Sequence, residues 1–416
     1  MMKRFTRLGL IATVCAATVA ACADARQSET DTRPWDVIAA TDGLSAAEAS
    51  LAARDQTAEI AFVRGGLHFL MAFEHVLQVR YNNSSVPIEV IPGFDYRIET
   101  DPTGTFDPAF LETALSGALD HMAAAQDVLT PAISETFTAD VPIESLWFDI
   151  DGDGSRSDWE SLSRHMGVLM NLPVSTNEND EFIGFEGTDV TIQFDTADAD
   201  WLAAYTHAIS GVNELILSLD PTPAITEVFE GRAQLNALPA TINDIGFIDE
   251  DQLDVLAAAI LMMDGVPDKS RTQKALSHFQ ATIEHNRAFW REVESETDNE
   301  REWLPNENQE SVFGVTVSAE TAEAWQAVLY EMDLILKGEH LLPFFRLNQG
   351  FGQTEGYGVN LASLLNEPGD FNLVLMLQGA TFAPHIEQGP FADRDALREF
   401  SSTVPGSSIL FAAWLN

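Results

Sequence analysis

The chain has 416 residues, 65 of them acidic and 22 basic, for a net charge of −43. A surface this negative repels phosphate backbones and anionic headgroups, which excludes nucleic acid as a partner and leaves divalent cations or a high-salt setting as reasons to carry it. The length favours one large core, or two intimate ones, over a string of small modules.

Lys3, Arg4 and Arg7 head an apolar run, Leu8 to Val19, that is too short to span a bilayer as a mature helix and has the layout of an export signal. The run ends in Val19-Ala20-Ala21-Cys22, which resembles the lipobox of bacterial lipoproteins. That resemblance implies a signal over residues 1–21, a lipidated Cys22 and a cell-envelope location, at the periplasmic face or the outer membrane. A plain secretory signal cut nearby is the alternative. Removing the signal takes three of the 22 basic residues and none of the acidic ones, leaving 19 against 65. Cys15, the only other cysteine, leaves with it, so the mature chain is expected to form no disulfide. No later run of 18 or more apolar residues follows, so the expected body is soluble and touches the membrane only through lipid.

Residues 22–43 are polar and aperiodic, as expected of a tether. From Ser45 the apolar positions fall on one helical face up to about Tyr81, and a second helix is expected from Pro108, capped by Asp107, to about Leu129. Further helices are expected over 157–171, 198–218, 249–264, 268–296 and 318–338, the last opened by Ser318. Strand signals are few: 144–149 (ESLWFD) and 189–195 (DVTIQFD). Both end in Phe-Asp and lead to an Asp-Trp that opens a helix, Phe148-Asp149 to Asp158-Trp159 and Phe194-Asp195 to Asp200-Trp201. The tail from Gly350 reads as irregular structure with short helices. The pattern predicts a mainly α protein: a multi-helix, single-core domain over 44–416 with a small β element.

Between the first Phe-Asp and its Asp-Trp, Asp149, Asp151 and Asp153 occupy alternate positions, Gly154 stands sixth, Ser155 seventh, Ser157 ninth and Glu160 twelfth. Calcium takes six to eight hard oxygens, and alternate carboxylates with a glycine at the sharp turn bring them to one centre. The twelve residues resemble an EF-hand calcium loop. That resemblance implies Asp149, Asp151, Asp153, the Ser155 carbonyl, a water on Ser157 and a bidentate Glu160 as ligands. Two departures, Arg156 at the eighth position and Pro142 in the entering segment, imply a lone loop, strand-in and helix-out, with Glu160 in the first turn of the exiting helix. Magnesium wants tighter octahedral geometry, and zinc finds no nitrogen or sulfur in the loop. The expected cofactor is therefore a structural calcium ion.

His68-Phe69 and Glu74-His75 recur, with identical spacing, as His278-Phe279 and Glu284-His285. Facing helices would let the four histidines converge with Glu74 and Glu284 on a transition metal; core histidines bonded to a carboxylate or carbonyl are the plainer reading. His207, His340 and His385 stand singly. The chain has no Gly-x-Ser-x-Gly elbow, His-Glu-x-x-His, phosphate-cradling glycine loop or dinucleotide fingerprint. The eight tryptophans point to core more than to a ligand groove. The functional expectation is a calcium-binding, lipid-anchored envelope protein with a binding or scaffold role. A secreted hydrolase of saccharide or peptide working through carboxylates, and transition-metal binding through the paired His helices, are the alternatives.

Overall fold

A computed structural model describes residues 31–83, 101, 103–169, 174–176, 182–185, 190–238, 250–347 and 353–404. The signal, Cys15, the lipidation site Cys22 and Trp414 lie outside the described residues. The fold is mainly α with a small β element. Its helices are α1 (Trp35–Asp42), α2 (Leu44–Ala52), α3 (Ala58–Asn82), α4 (Phe110–Ser134), α5 (Leu162–Leu169), α6 (Thr196–Ser218), α7 (Pro221–Asn236), α8 (Glu250–Met262), α9 (Lys269–Val293), α10 (Ala319–Lys337), α11 (Leu361–Asn366), α12 (Leu373–Gln378) and α13 (Arg394–Thr403). The strands are β1 (Thr138–Pro142), β2 (Val174–Thr176), β3 (Phe182–Phe185), β4 (Thr191–Asp195), β5 (Leu342–Pro343), β6 (Glu355–Val359) and β7 (Ile386–Pro390).

The long helices pack in the order α3, α4, α6, α9, α10. One large core runs through them, with α1, α2, β1, β4 and α13 closing its sides, and its largest fully buried side chains include Trp147, Phe148, Phe289 and Trp290. A satellite of Ala72, Val76, Ala114, Ala118 and Met122 fills the α3–α4 seam. Among the described residues α3 alone is long and apolar enough to cross a membrane by length and composition, and half of that window is buried inside the protein.

Local chemistry explains where the elements depart from the expected boundaries. The helix expected over 45–81 breaks at Ala53. Gln56 Nε2 donates to the carbonyls of Leu51 and Arg54, and Thr57 caps α3 by accepting from Ile60 N. The tether expected over 22–43 gives way at Trp35 to α1, where Ile38 and Ala39 are buried and the Ala39 carbonyl accepts from the Trp147 indole at 2.7 Å. The strand expected at 144–149 lies earlier, as β1, which pairs antiparallel with β4; Pro142 ends it, and 146–148 contribute only a bridge. The tail from Gly350, read as irregular structure with short helices, supplies β6 and β7, which complete a three-stranded sheet with β5 just before it.

Candidate metal centre

The stretch 149–160 is a closed loop. Phe148 N donates to Glu160 O (2.9 Å) and Leu162 N to Leu146 O (3.0 Å), so entry and exit are zipped antiparallel at the Trp147–Ser161 bridge. Inside it, one carboxyl oxygen from each of Asp149, Asp151 and Asp153 lies within 4.8 Å of the other two. The turn is built from local bonds: Gly154 N donates to Asp149 Oδ1 (3.1 Å), Asp153 N to Asp151 Oδ1 (3.0 Å) and Ser155 N to Asp153 Oδ1 (2.7 Å). Gly154 sits at φ 73°, where a side chain is strained. Asp153 and Ser155 are exposed, so the carboxylates open onto solvent.

Glu160 is fully buried and is not among the converging groups. Its Oε1 accepts from Ile150 N (2.8 Å), while Oε2 accepts from Ser157 N (3.0 Å) and Ser157 Oγ (2.6 Å). Ser157 and Glu160 form a capping box around a single 3-10 turn, Asp158–Glu160, and Ser161 is extended before α5 begins. The expected first helical turn around Glu160 is therefore a separate turn, because its carboxylate serves as the return arm of the box. Glu160 clamps the loop's backbone from inside, and Ser157 is its partner.

The loop is also gripped by α3. Asp149 N donates to Glu74 Oε2 (2.9 Å), Gln78 Nε2 donates to Asp149 O (2.7 Å), and Tyr81 stacks on Trp159 with centroids 6.3 Å apart. Burial, with the charges of Asp149 and Glu160, pushes the Glu74 carboxyl up to about 7 against the pull of the Asp149 amide.

This grip dissolves the second site expected from the sequence. Glu74 serves the loop, and Glu284 is exposed. His68 and His75 each lie near His121 of α4, with centroids 6.1 and 6.4 Å apart, and not near the other pair. His278 and His285 instead flank His207 of α6, which the sequence left as a single histidine. Burial, then the charges of His278 and His285, lower His207 to about 4. Among the described residues the three aspartates are the one set of three or more His, Cys, Asp or Glu whose ligand atoms converge within 4.8 Å.

A second carboxylate group, missed in the sequence, sits where β4 meets α6. Asp195 caps α6 through Ala197 N (2.9 Å), and Asp198 accepts from Asp195 N (2.9 Å). Burial holds Asp198 well above the usual range, with the charge of Asp195 adding to it. Glu296 is pushed up to about 7 by burial and by Asp195, and Glu302 rises chiefly through burial. The sequence signal was present in Asp195-Thr196-Ala197-Asp198, which carries the spacing of a capping box. No protein-family model, no curated protein and no solved structure matches this chain.

Proposed function

We propose that loop 149–160 seats a structural calcium ion in a non-catalytic, lipid-anchored protein of the cell envelope, with a binding or scaffold role. The observation that carries the calcium reading is the convergence of Asp149, Asp151 and Asp153 on one solvent-facing point, across a turn that Gly154 allows. Hard oxygens at that density suit calcium. Without a cation the three carboxylates repel one another across a few ångströms. The Ser155 carbonyl and waters would complete the shell, with Glu160 stiffening the frame. The envelope location rests on the resemblance of Val19 to Cys22 to a lipobox. The test is calcium titration of chelator-stripped protein followed by melting. A rise in Tm that Asp151→Asn abolishes supports the reading, and no bound ion with no shift ends it.

A hydrolase acting on saccharide or peptide is the second reading. One observation favours it: Glu296 is pushed up to about 7, in the range of a general acid, while remaining partly open to solvent, and the buried Glu302 is raised as well. Turnover of a saccharide or peptide substrate that is lost in Glu296→Gln would establish it.

A further inference from the structure

Six of the chain's nine histidines fall into two trios of the same design. In each, two histidines seven apart on one long helix flank a third from the helix packed beside it. The α6–α9 trio is the tighter. His207 lies 5.2 Å from His278 and 5.6 Å from His285, centroid to centroid, and is nearly parallel to the latter at 9°. His207 Nδ1 and His278 Nδ1 are 2.9 Å apart. The helices come this close partly because Gly211, one turn beyond His207, has no side chain: a Cβ there would stand 2.6 Å from the Phe279 ring.

We propose that His207 and His278 form a two-nitrogen seat for a divalent transition-metal ion of the copper or zinc type, with water in its remaining positions. Two nitrogens on one such ion, each about 2.0–2.1 Å from it, stand roughly 2.9–3.4 Å apart, and the His207–His278 pair already has that bite. Imidazole is the ligand these ions prefer, and calcium and magnesium, which take oxygen, do not compete for it. His285 stands beside His207, with its Nδ1 2.6 Å from Oδ1 of the buried Asp200, and does not converge with the pair on one point. At the far end of the row, Glu214 is occupied by Arg271 (2.7 Å) and Lys274 (3.4 Å), so it leaves the imidazoles to the ion. The α3–α4 trio is wider, and two of its nitrogens are engaged, His68 Nε2 with Glu48 (3.4 Å) and His75 Nε2 with the Thr113 carbonyl (3.1 Å). It serves as the internal comparison.

The test uses the full chain, stripped with chelator and held in millimolar calcium so that surface carboxylates are occupied. Copper(II) is then titrated and read by electron paramagnetic resonance. The expected result is one ion with nitrogen hyperfine couplings. His207→Gln should weaken binding at least tenfold and reduce the couplings to those of one imidazole. His340→Gln, whose imidazole pairs with Glu331, should leave both unchanged. If His207→Gln loses helical content, His278→Gln gives the same reading. Wild-type protein without nitrogen-coupled copper, or a His207→Gln protein that binds as wild type, overturns the proposal and leaves the 2.9 Å contact as a hydrogen bond between two neutral rings.

Discussion

Two junctions in this protein open with the same Phe-Asp pair, are closed by a capping box and use carboxylates to opposite ends. At Asp195 the chain enters α6 at once: Asp195 caps, Asp198 reaches back, and burial raises the Asp198 carboxyl well above its ordinary value. At Asp149 the loop inserts before its box, Ser157 with Glu160, and carries Asp149, Asp151 and Asp153 out toward water. The box is common to both; the inserted loop makes the difference. Burial pushes carboxylates packed under a helix start toward the protonated form, whereas carboxylates lifted onto an exposed turn remain available for a cation.

The largest test of that contrast is Glu160→Ala. It would take the buried acceptor away from Ile150 N, Ser157 N and Ser157 Oγ, and should cost about 4 kcal/mol in urea unfolding. Asp198→Ala removes one arm of the other box and should cost about 1–2 kcal/mol. If the two losses are equal, the inserted loop adds nothing to the box. Next comes calcium. With a dissociation constant on the order of 0.1–1 mM, 5 mM calcium should add about 1–2 kcal/mol to the stability of wild type and none to Asp151→Asn or Asp153→Asn, measured as Tm. Gly154→Ala, strained at φ 73°, should cost about 1 kcal/mol and weaken the calcium effect.

The smallest effect is on pH. Glu296 is raised from 4.5 to about 7, so the folded state holds a proton that the unfolded chain releases. The resulting stability is full below about pH 4.5 and is lost as pH rises through about 7. Melting curves from pH 5 to 8 should therefore fall less steeply for Glu296→Gln than for wild type. His207, lowered to about 4, has the opposite sign: its contribution is present above 6.5 and lost as pH falls through about 4. An alkaline slope unchanged in Glu296→Gln would remove the claim that burial forces these acids to keep a proton.

Most of the long helices were legible because their apolar period, and for some a cap, is local, while α7 (Pro221–Asn236) was not expected. Ser318 accepts from Thr321 N, as its position in the sequence predicts, whereas α4 begins at Phe110 with Ala109 as its N-cap, and the expected cap Asp107 only accepts from Ala109 N in the turn before it. The aspartate turn was legible for the same reason, since its bonds run two to five residues along the chain. What the sequence hid is long-range. Glu74 reads as a partner of His75, yet it bonds Asp149, 75 residues away. His207 pairs with His278 across 71 residues, and no local spacing announces that. Glu160 matches the twelfth position of a calcium loop, but its burial and its three donors are set by folding of the whole segment. The β6–β7 pairing joins segments separated by two short helices, in a tail whose glycines read as loop.

The zipped neck at Trp147 and Ser161 has one more consequence. Backbone bonds close the aspartate turn at its neck, the Trp147 indole fixes the neck to α1 through the Ala39 carbonyl, and Glu74 and Gln78 hold it on α3, so the segment is a cassette anchored to the bundle at its base. Its tip, around Gly152 to Arg156, is exposed and contributes nothing to the interior, so its residues other than the positive-φ glycines can be exchanged without disturbing what lies below the neck. Variation in such a cassette would alter which ion is held while the scaffold that displays it stays the same.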